Sequence, residues 1–359
     1  MIANAIRWKQ FLFAFPFAGV FAATLEVGPG LAFERVEDAL AAAGAGDTLL
    51  VRPRPGGAAY ERPALLVNKP VIIRAAGPVV FDGAGFDYSG NGRVPRAIVQ
   101  FDPGASGSTL EGFTLVNARN GWRNAAGVRV NQANNITVTN CVIRACEMGI
   151  MSNGSVAGNT ATNQLFTHCL VTLNGSPGDG GQSHNLYLGG TDATLRHCEV
   201  SHSTSGNNVK SRAHVTRVED CLVHHSANRE FDLVDAAGNT DIPGSDAFLI
   251  RNTVVKHPGN EGNHNLLHFG RDGAAERTGT LHAVSNVFVS PYQTPLVTLS
   301  SRVDARLHFN IVSNSPHNAR LLLLRHPDAR AFGKGNVFPK ALLTEGLAEC
   351  EDEQNNRAF

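Results

Sequence analysis

The chain of 359 residues has no excess charge of either sign, with 31 Lys and Arg against 31 Asp and Glu. Nucleic acids and anionic membranes normally select a basic excess, so neither partner finds support, and charge-based recognition must be local. Aromatics are scarce at 7%. Beyond the N-terminus no apolar run approaches the roughly 20 residues of a membrane span. None of the six cysteines lies in a CxxC or a Cys/His spacing suited to zinc.

Glycine is abundant at 37 residues, and Val, Ile, Thr and Asn recur in short runs. This is a β composition with many tight turns. One shape repeats: VTNCVI at Cys141, FTHCLV at Cys169, LRHCEV at Cys198 and VEDCLV at Cys221, at spacings of 28, 29 and 23 residues. The series starts at Phe113 and continues without cysteine at Thr253, Val287 and Ile311. Such a period marks a solenoid, and repeats over most of the chain favour one elongated domain. The four cysteines are expected to stack inward as small free-thiol hydrophobes. Cys146 and Cys350 are expected to be structural singletons. The preceding residues, Asn140, His168, His197 and Asp220, then Asn252, Asn286 and Asn310, are expected to form a polar ladder at one bend.

The N-terminus reads as an export signal over residues 1–22, with Arg7 and Lys9 before the apolar run Phe11–Phe21 and small residues at Ala22 and Ala23. A buried strand or helix is the structural alternative. The signal implies a secreted or periplasmic protein with no membrane span after cleavage, expected to be a monomer. The repeats then occupy residues 23–340, and the acidic segment 341–359 reads as a C-terminal cap or tail.

Near the start, Phe33–Ala43 has helical spacing and precedes GDTLLVRP (46–53) and VNKPVIIRAAG (67–77). Here the sequence resembles the pectate-lyase-like family of right-handed parallel β-helices, over roughly residues 24–340. The resemblance implies an all-β, single-stranded right-handed parallel β-helix with a short N-terminal capping helix.

A second strand series runs through AGVRVNQ, MGIMSNG, HNLYLGG, NNVKSRA, FDLVDAAG, HNLLHFG and PLVTLSS. By strand alternation, Val128, Leu186, Val209, Leu233, Leu266 and Val297 should point inward. Arg129, Asn185, Tyr187, Asn208, Lys210, Arg212, Asp232 and Asn265 should then point outward. Ser211 and Asp235 should face inward, where they could form a buried hydrogen-bonded pair. The long connections 174–183 and 237–246 should wall a groove.

That outward face holds what β-elimination on a uronate requires. Arg212 or Arg129 would pair with the sugar carboxylate. Lys210, His184 or Tyr187 would take the C5 proton, and Tyr187 could protonate the leaving oxygen. Asn185, Asn208, Asp232 and Asn265 would line the substrate, an acidic polysaccharide. At these residues the chain is similar to alginate lyases and chondroitinase B-like enzymes, which implies Lys210 as base and Arg212 as acid or carboxylate partner. Some of those enzymes add calcium, for which Asn185, Asn208 and Asp232 would be donors, although the expected glutamate pair is missing; no other metal or cofactor is expected. The residues leave open a non-catalytic glycan-binding or envelope protein, and a hydrolase or epimerase of the same fold. Only Asp232 is a good outward carboxylate for hydrolysis.

Overall fold

The computed structural model describes residues 22–349 and 356–358. The proposed export signal lies almost wholly outside them, as does Cys350. The chain winds into a right-handed parallel β-helix. Three strands alternate along each coil, and each strand pairs in parallel with its counterpart in the next coil. One stack of ten strands, from Leu65–Val67 to Leu322–Leu324, carries the candidate site. The other two stacks are joined near the start by the long strands Ile72–Asp82 and Thr109–Val116. The helix Val36–Ala42 covers the N-terminal end and buries Val36, Ala39 and Leu40. At the other end Leu347–Glu349 and Arg357–Ala358 add pairings to the last full coil.

Inside the site-bearing stack, Val128, Ile150, Leu186, Val209, Phe231, Leu267 and Val297 form one buried row. Each fully buried side chain of this kind contributes roughly 1.5–3 kcal/mol of transfer free energy. Two further positions expected inward are buried as expected, but outside this row. Leu233 is buried but belongs to the next row, two residues on, and Leu266 is buried at the corner before its strand. HNLLHFG contains two successive leucines, so alternation alone does not choose between registers, and a one-residue slip exchanges the two faces.

The cysteines stack as expected. Cys141, Cys169, Cys198 and Cys221 are buried free thiols on successive coils, as is the separate Cys146. Hydrogen bonding to Cys141 and Cys198, together with burial, holds the Cys169 thiol well above the ordinary range. Their continuation is one residue earlier than expected. Asn252, not Thr253, follows Cys221, whose N–H donates to Asn252 Oδ1 at 2.9 Å. Asn286, Asn310, Asn336 and Asn356 extend the line, each Oδ1 accepting from the preceding asparagine at 2.9–3.0 Å. The residues before it, His168, His197, Asp220 and Arg251, all adopt left-handed backbone with φ between 53° and 56°. That bend position favours Asn, Asp and His. The expected polar ladder therefore splits into a left-handed bend and a true asparagine ladder beside it.

Candidate functional site

Strand pairing aligns one outward row along the stack: Arg129, Met151, Tyr187, Lys210, Asp232, His268 and Thr298. Lys210 and Asp232 are at its centre, their Nζ and Oδ2 atoms 3.1 Å apart. Asp232 is 1% exposed, yet it meets Arg229 Nη1 at 3.1 Å and His268 Nδ1 at 2.8 Å, and accepts from Asn207 Nδ2 at 3.2 Å. Burial would raise its pKa, but His268 and the Lys210 and Arg229 charges more than offset that and hold it far below the carboxylate range.

A loop missed by sequence reasoning completes the centre. Asp272 Oδ2 meets Lys210 Nζ at 2.8 Å and Arg212 Nη2 at 3.1 Å. Asp235 fixes this loop by accepting the backbone N–H groups of Asp272, Gly273 and Ala275 at 2.5, 2.8 and 3.1 Å. The expected Ser211–Asp235 pair does not form, because Ser211 instead bonds Thr216 at 2.7 Å. Beneath the loop, fully buried Arg277 donates to the carbonyls of Val234, Ala213, His214 and Ser245 and lies over the Phe269 ring. Nothing in the local pattern RDGAAER announced that it folds back over the strand face.

Lys210 and Arg212 share a face as expected, and Arg212 Nε donates to Tyr187 Oη at 2.9 Å. The base assigned to Lys210 is corrected. Burial would lower its pKa, but Asp232 and Asp272 outweigh that and raise it, so Lys210 is a held cation. His184 is 2% exposed, with its ring edge on Tyr187 and Nδ1 accepting from the Asn207 N–H at 2.9 Å. Burial, then the Lys210 charge, push its pKa down to about 3. It is a neutral packing group beneath Tyr187 and does not open on the groove. Arg129, two strands before Tyr187 in the row, meets Met151 Sδ at 3.1 Å and Asn153 Oδ1 at 3.2 Å on the strand between them.

Asn185 and Asn208 are also corrected, since both are fully buried. They turn into the corner before the strand, in a line running Asn174, Asn185, Asn208, Glu230 and Lys256. Interior backbone and amides leave these side chains no reason to face water. Burial raises the Glu230 carboxyl and lowers the Lys256 ammonium from their ordinary values. The calcium set considered above does not fit. Asn185 Oδ1 and Asn208 Oδ1 accept within the corner, and both Asp232 oxygens are held by cations and amides.

His268 is the main residue missed, because the HNLLHFG register was read one residue early. Its Nδ1 is 2.8 Å from Asp232 Oδ1 and its Nε2 is 2.6 Å from Ser300 Oγ. Both sit in a cleft of about 450 Å³ lined also by Arg229, Asn265, Arg271, Asp272, Thr298 and Arg325. Asn265 therefore borders the site, bonded to Thr298 Oγ1 at 2.7 Å. A second cleft of about 380 Å³ lies against Tyr187, walled by Asp179 and Gln182 of the 174–183 connection and by Trp122, Arg123 and Met151. Trp122 is 76% exposed there. The 237–246 connection anchors the strand end instead, with Asn239 Nδ2 donating to Arg212 O at 2.7 Å.

No family model matches this chain, and no curated protein sequence is similar to it. Its fold, the right-handed parallel β-helix, is shared with several solved structures. An alginate lyase from Paenibacillus sp. str. FPU-7 is similar at 13% identity over 91% of this chain and 99% of that one, with TM-score 0.51. The tailspike protein of E. coli bacteriophage HK620, in complex with a pentasaccharide, is 11% identical over 85% of this chain and 61% of that one, with TM-score 0.56. ORF18 of Geobacillus virus E2 is 12% identical over 83% of this chain and 57% of that one, with TM-score 0.52. This chain thus spans about three-fifths of the two phage proteins. At such identities the likeness concerns the fold. Among the described residues no helix is long and apolar enough to cross a membrane.

Proposed function

We propose that the protein is a carbohydrate-active enzyme that cleaves an acidic, uronate-containing polysaccharide by β-elimination, with the polymer lying along the outward row. The observation that carries this reading is His268, an imidazole whose Nδ1 is tied to a buried, ionised Asp232 and whose Nε2, 2.6 Å from Ser300 Oγ, borders a cleft lined by three arginines. A carboxylate on Nδ1 fixes the proton there and leaves the Nε2 lone pair to accept one. Arg229, Arg271 or Arg325 would neutralise the uronate carboxylate and the charge that develops as the C5 proton passes to His268 Nε2. As the C4–O bond breaks to leave a C4–C5 double bond, His268 would give that proton to the departing oxygen. Lys210 and Arg212, already cationic and joined through Asp272, would bind the neighbouring sugar's carboxylate. Tyr187, receiving the Arg212 N–H, lies beside that subsite.

Hydrolysis by paired carboxylates is less well supported. Asp232 and Asp272 flank Lys210, but a general acid needs a raised pKa, and Asp232 is depressed. The similar alginate lyase and the tailspike bound to a pentasaccharide agree with a glycan along this fold. Export outside the cytoplasm belongs to the same reading.

The test is a panel of alginate, pectate, chondroitin and other uronate polymers, followed by ultraviolet absorbance of the unsaturated product. Product with wild type and a loss of at least about 100-fold in His268→Ala are expected. No product from any acidic polymer sinks the reading.

A second reading rests on the hydrogen-bonded order Asp232–His268–Ser300, which becomes an acyl-transfer triad when Ser300 turns its O–H from the Arg271 carbonyl, 3.1 Å away, to His268 Nε2. Ser300 Oγ would attack an ester carbonyl and give its proton to His268 Nε2; the ester C–O bond would break as the departing alcohol takes that proton, and water would then hydrolyse the acyl-enzyme to release the acid. A p-nitrophenyl ester separates the two readings. Ser300→Ala would abolish ester hydrolysis while leaving elimination largely intact.

A further inference from the structure

On a different side of each coil, where the third strand ends and the chain turns toward the site-bearing stack, histidines converge. His202 follows the strand Glu199–Ser201, His224 ends the strand Leu222–His224, and His225 comes next. His202 and His225 hold equivalent positions on adjacent coils, both left-handed, with φ of 53° and 59°. Their rings stack at 4.9 Å and 22°, while the His224 ring stands edge-on to both. His257, from the next coil, brings its ring centroid within 4.8 Å of His225.

Left-handed backbone favours His along with Asn and Asp, which accounts for His202 and His225 as it does for His168 and His197. It does not account for His224 or His257. From the geometry we infer that His202, His224 and His225 form a binding site for a divalent transition-metal ion of the zinc, nickel or copper class.

One ring nitrogen from each of the three lies within 4.8 Å of the others. Nitrogens at about 2.0–2.1 Å from a tetrahedral ion are about 3.3 Å apart, so the imidazoles would draw closer together on binding. His224 Nδ1 and His225 Nδ1 are already 2.6 Å apart, a separation a shared proton holds and a metal would widen. The other nitrogen of His224, Nε2, is 3.4 Å from Glu199 Oε1. A carboxylate on the far nitrogen orients a ligating histidine and raises its basicity. His257 or water would fill the fourth position. Three imidazoles select borderline transition metals over calcium or magnesium.

The site would tie together the turns that lead into the Lys210 and Asp232 strands. It does not depend on what the groove binds.

The test is isothermal titration of the intact chain with Zn²⁺ and Ni²⁺, together with the Cu²⁺ electron paramagnetic resonance spectrum. The expected result is one ion per chain with a micromolar or tighter Kd and nitrogen hyperfine structure from several imidazoles. His202→Ala and His225→Ala should each weaken binding at least about 10-fold, and Glu199→Gln should do so by about 10-fold. The His168→Ala/His197→Ala double variant removes a stacked pair elsewhere, 5.0 Å between centroids, and should bind as wild type does. Binding no tighter than about 1 mM, or binding unchanged in a His202→Ala/His224→Ala/His225→Ala variant, overturns the site. The Cu²⁺ spectrum of wild type decides the point if that variant fails to fold.

Discussion

Asp232→Asn probes the centre of the site, because one buried carboxylate there answers to two cations and an imidazole. Its oxygens meet Lys210 at 3.1 Å, Arg229 at 3.1 Å and His268 at 2.8 Å. Removing one partner of a buried ion pair costs about 3–5 kcal/mol. Here Lys210 keeps Asp272 at 2.8 Å and the Arg229 side chain is 21% exposed. The low end of that range, about 3 kcal/mol, is therefore expected. With an unfolding entropy of about 2.1 cal/mol/K per residue, that lowers Tm by about 4 °C in a chain of this length. The kinetic consequence is larger. An asparagine can turn its NH₂ toward His268 Nδ1 and force the proton onto Nε2, which then donates where it must accept. An analogous tautomer change costs on the order of 10⁴ in serine proteases. Asp232→Ala should lose similar stability but leave the imidazole free to take either tautomer, so it should be more active than Asp232→Asn. Calorimetry and initial rates on the best polymer would measure both. Activity of Asp232→Asn within about 3-fold of wild type, against that 10⁴ expectation, would refute His268 as the proton acceptor.

Other predictions concern the frame of the site. Cys221→Asn should be tolerated within about 1 kcal/mol, because Cys198 N–H, now 3.3 Å from Cys221 Sγ, would find the Oδ1 that the asparagine ladder supplies on later coils; urea unfolding reads the difference. Lys256→Met alone leaves Glu230 fully buried without its cation, 3.7 Å away, and should cost about 3–5 kcal/mol; adding Glu230→Gln should recover most of it. His184 is neutral in the fold, with its pKa near 3, whereas an unfolded histidine titrates near 6.5. Its stabilisation is thus complete above about pH 6.5 and lost as pH falls toward 3, by up to about 1.4 kcal/mol per unit. Stability measured between pH 6.5 and 4.5 should fall less steeply in His184→Gln than in wild type.

The coil was legible in the cysteines because a buried register tolerates only small or ladder-forming side chains, and Cys141 through Cys221 repeat it without interruption. Where cysteine gives way to asparagine at Asn252, the same register continues in different chemistry, and the alignment slipped by one. The same kind of slip hid His268, since Leu266 and Leu267 are equally apolar and only the corner decides which faces inward. Tyr187, Lys210 and Asp232 were found on one face because their strands alternate cleanly. Asn185 and Asn208 were misplaced because they precede their strands, where alternation no longer governs direction. Asp272 was out of reach for another reason. Its position depends on Asp235 and Arg277 folding a loop back over the sheet, a tertiary contact without periodicity.

The most direct test of β-elimination is mass spectrometry of the products from a defined uronate oligosaccharide in water enriched with heavy oxygen. Elimination breaks the glycosidic bond without adding water. The products should sum to the mass of the substrate, one should carry a double bond, and neither should hold heavy oxygen from cleavage. Products that together gain one water, with heavy oxygen incorporated at the cleaved bond and no unsaturation, would contradict the account.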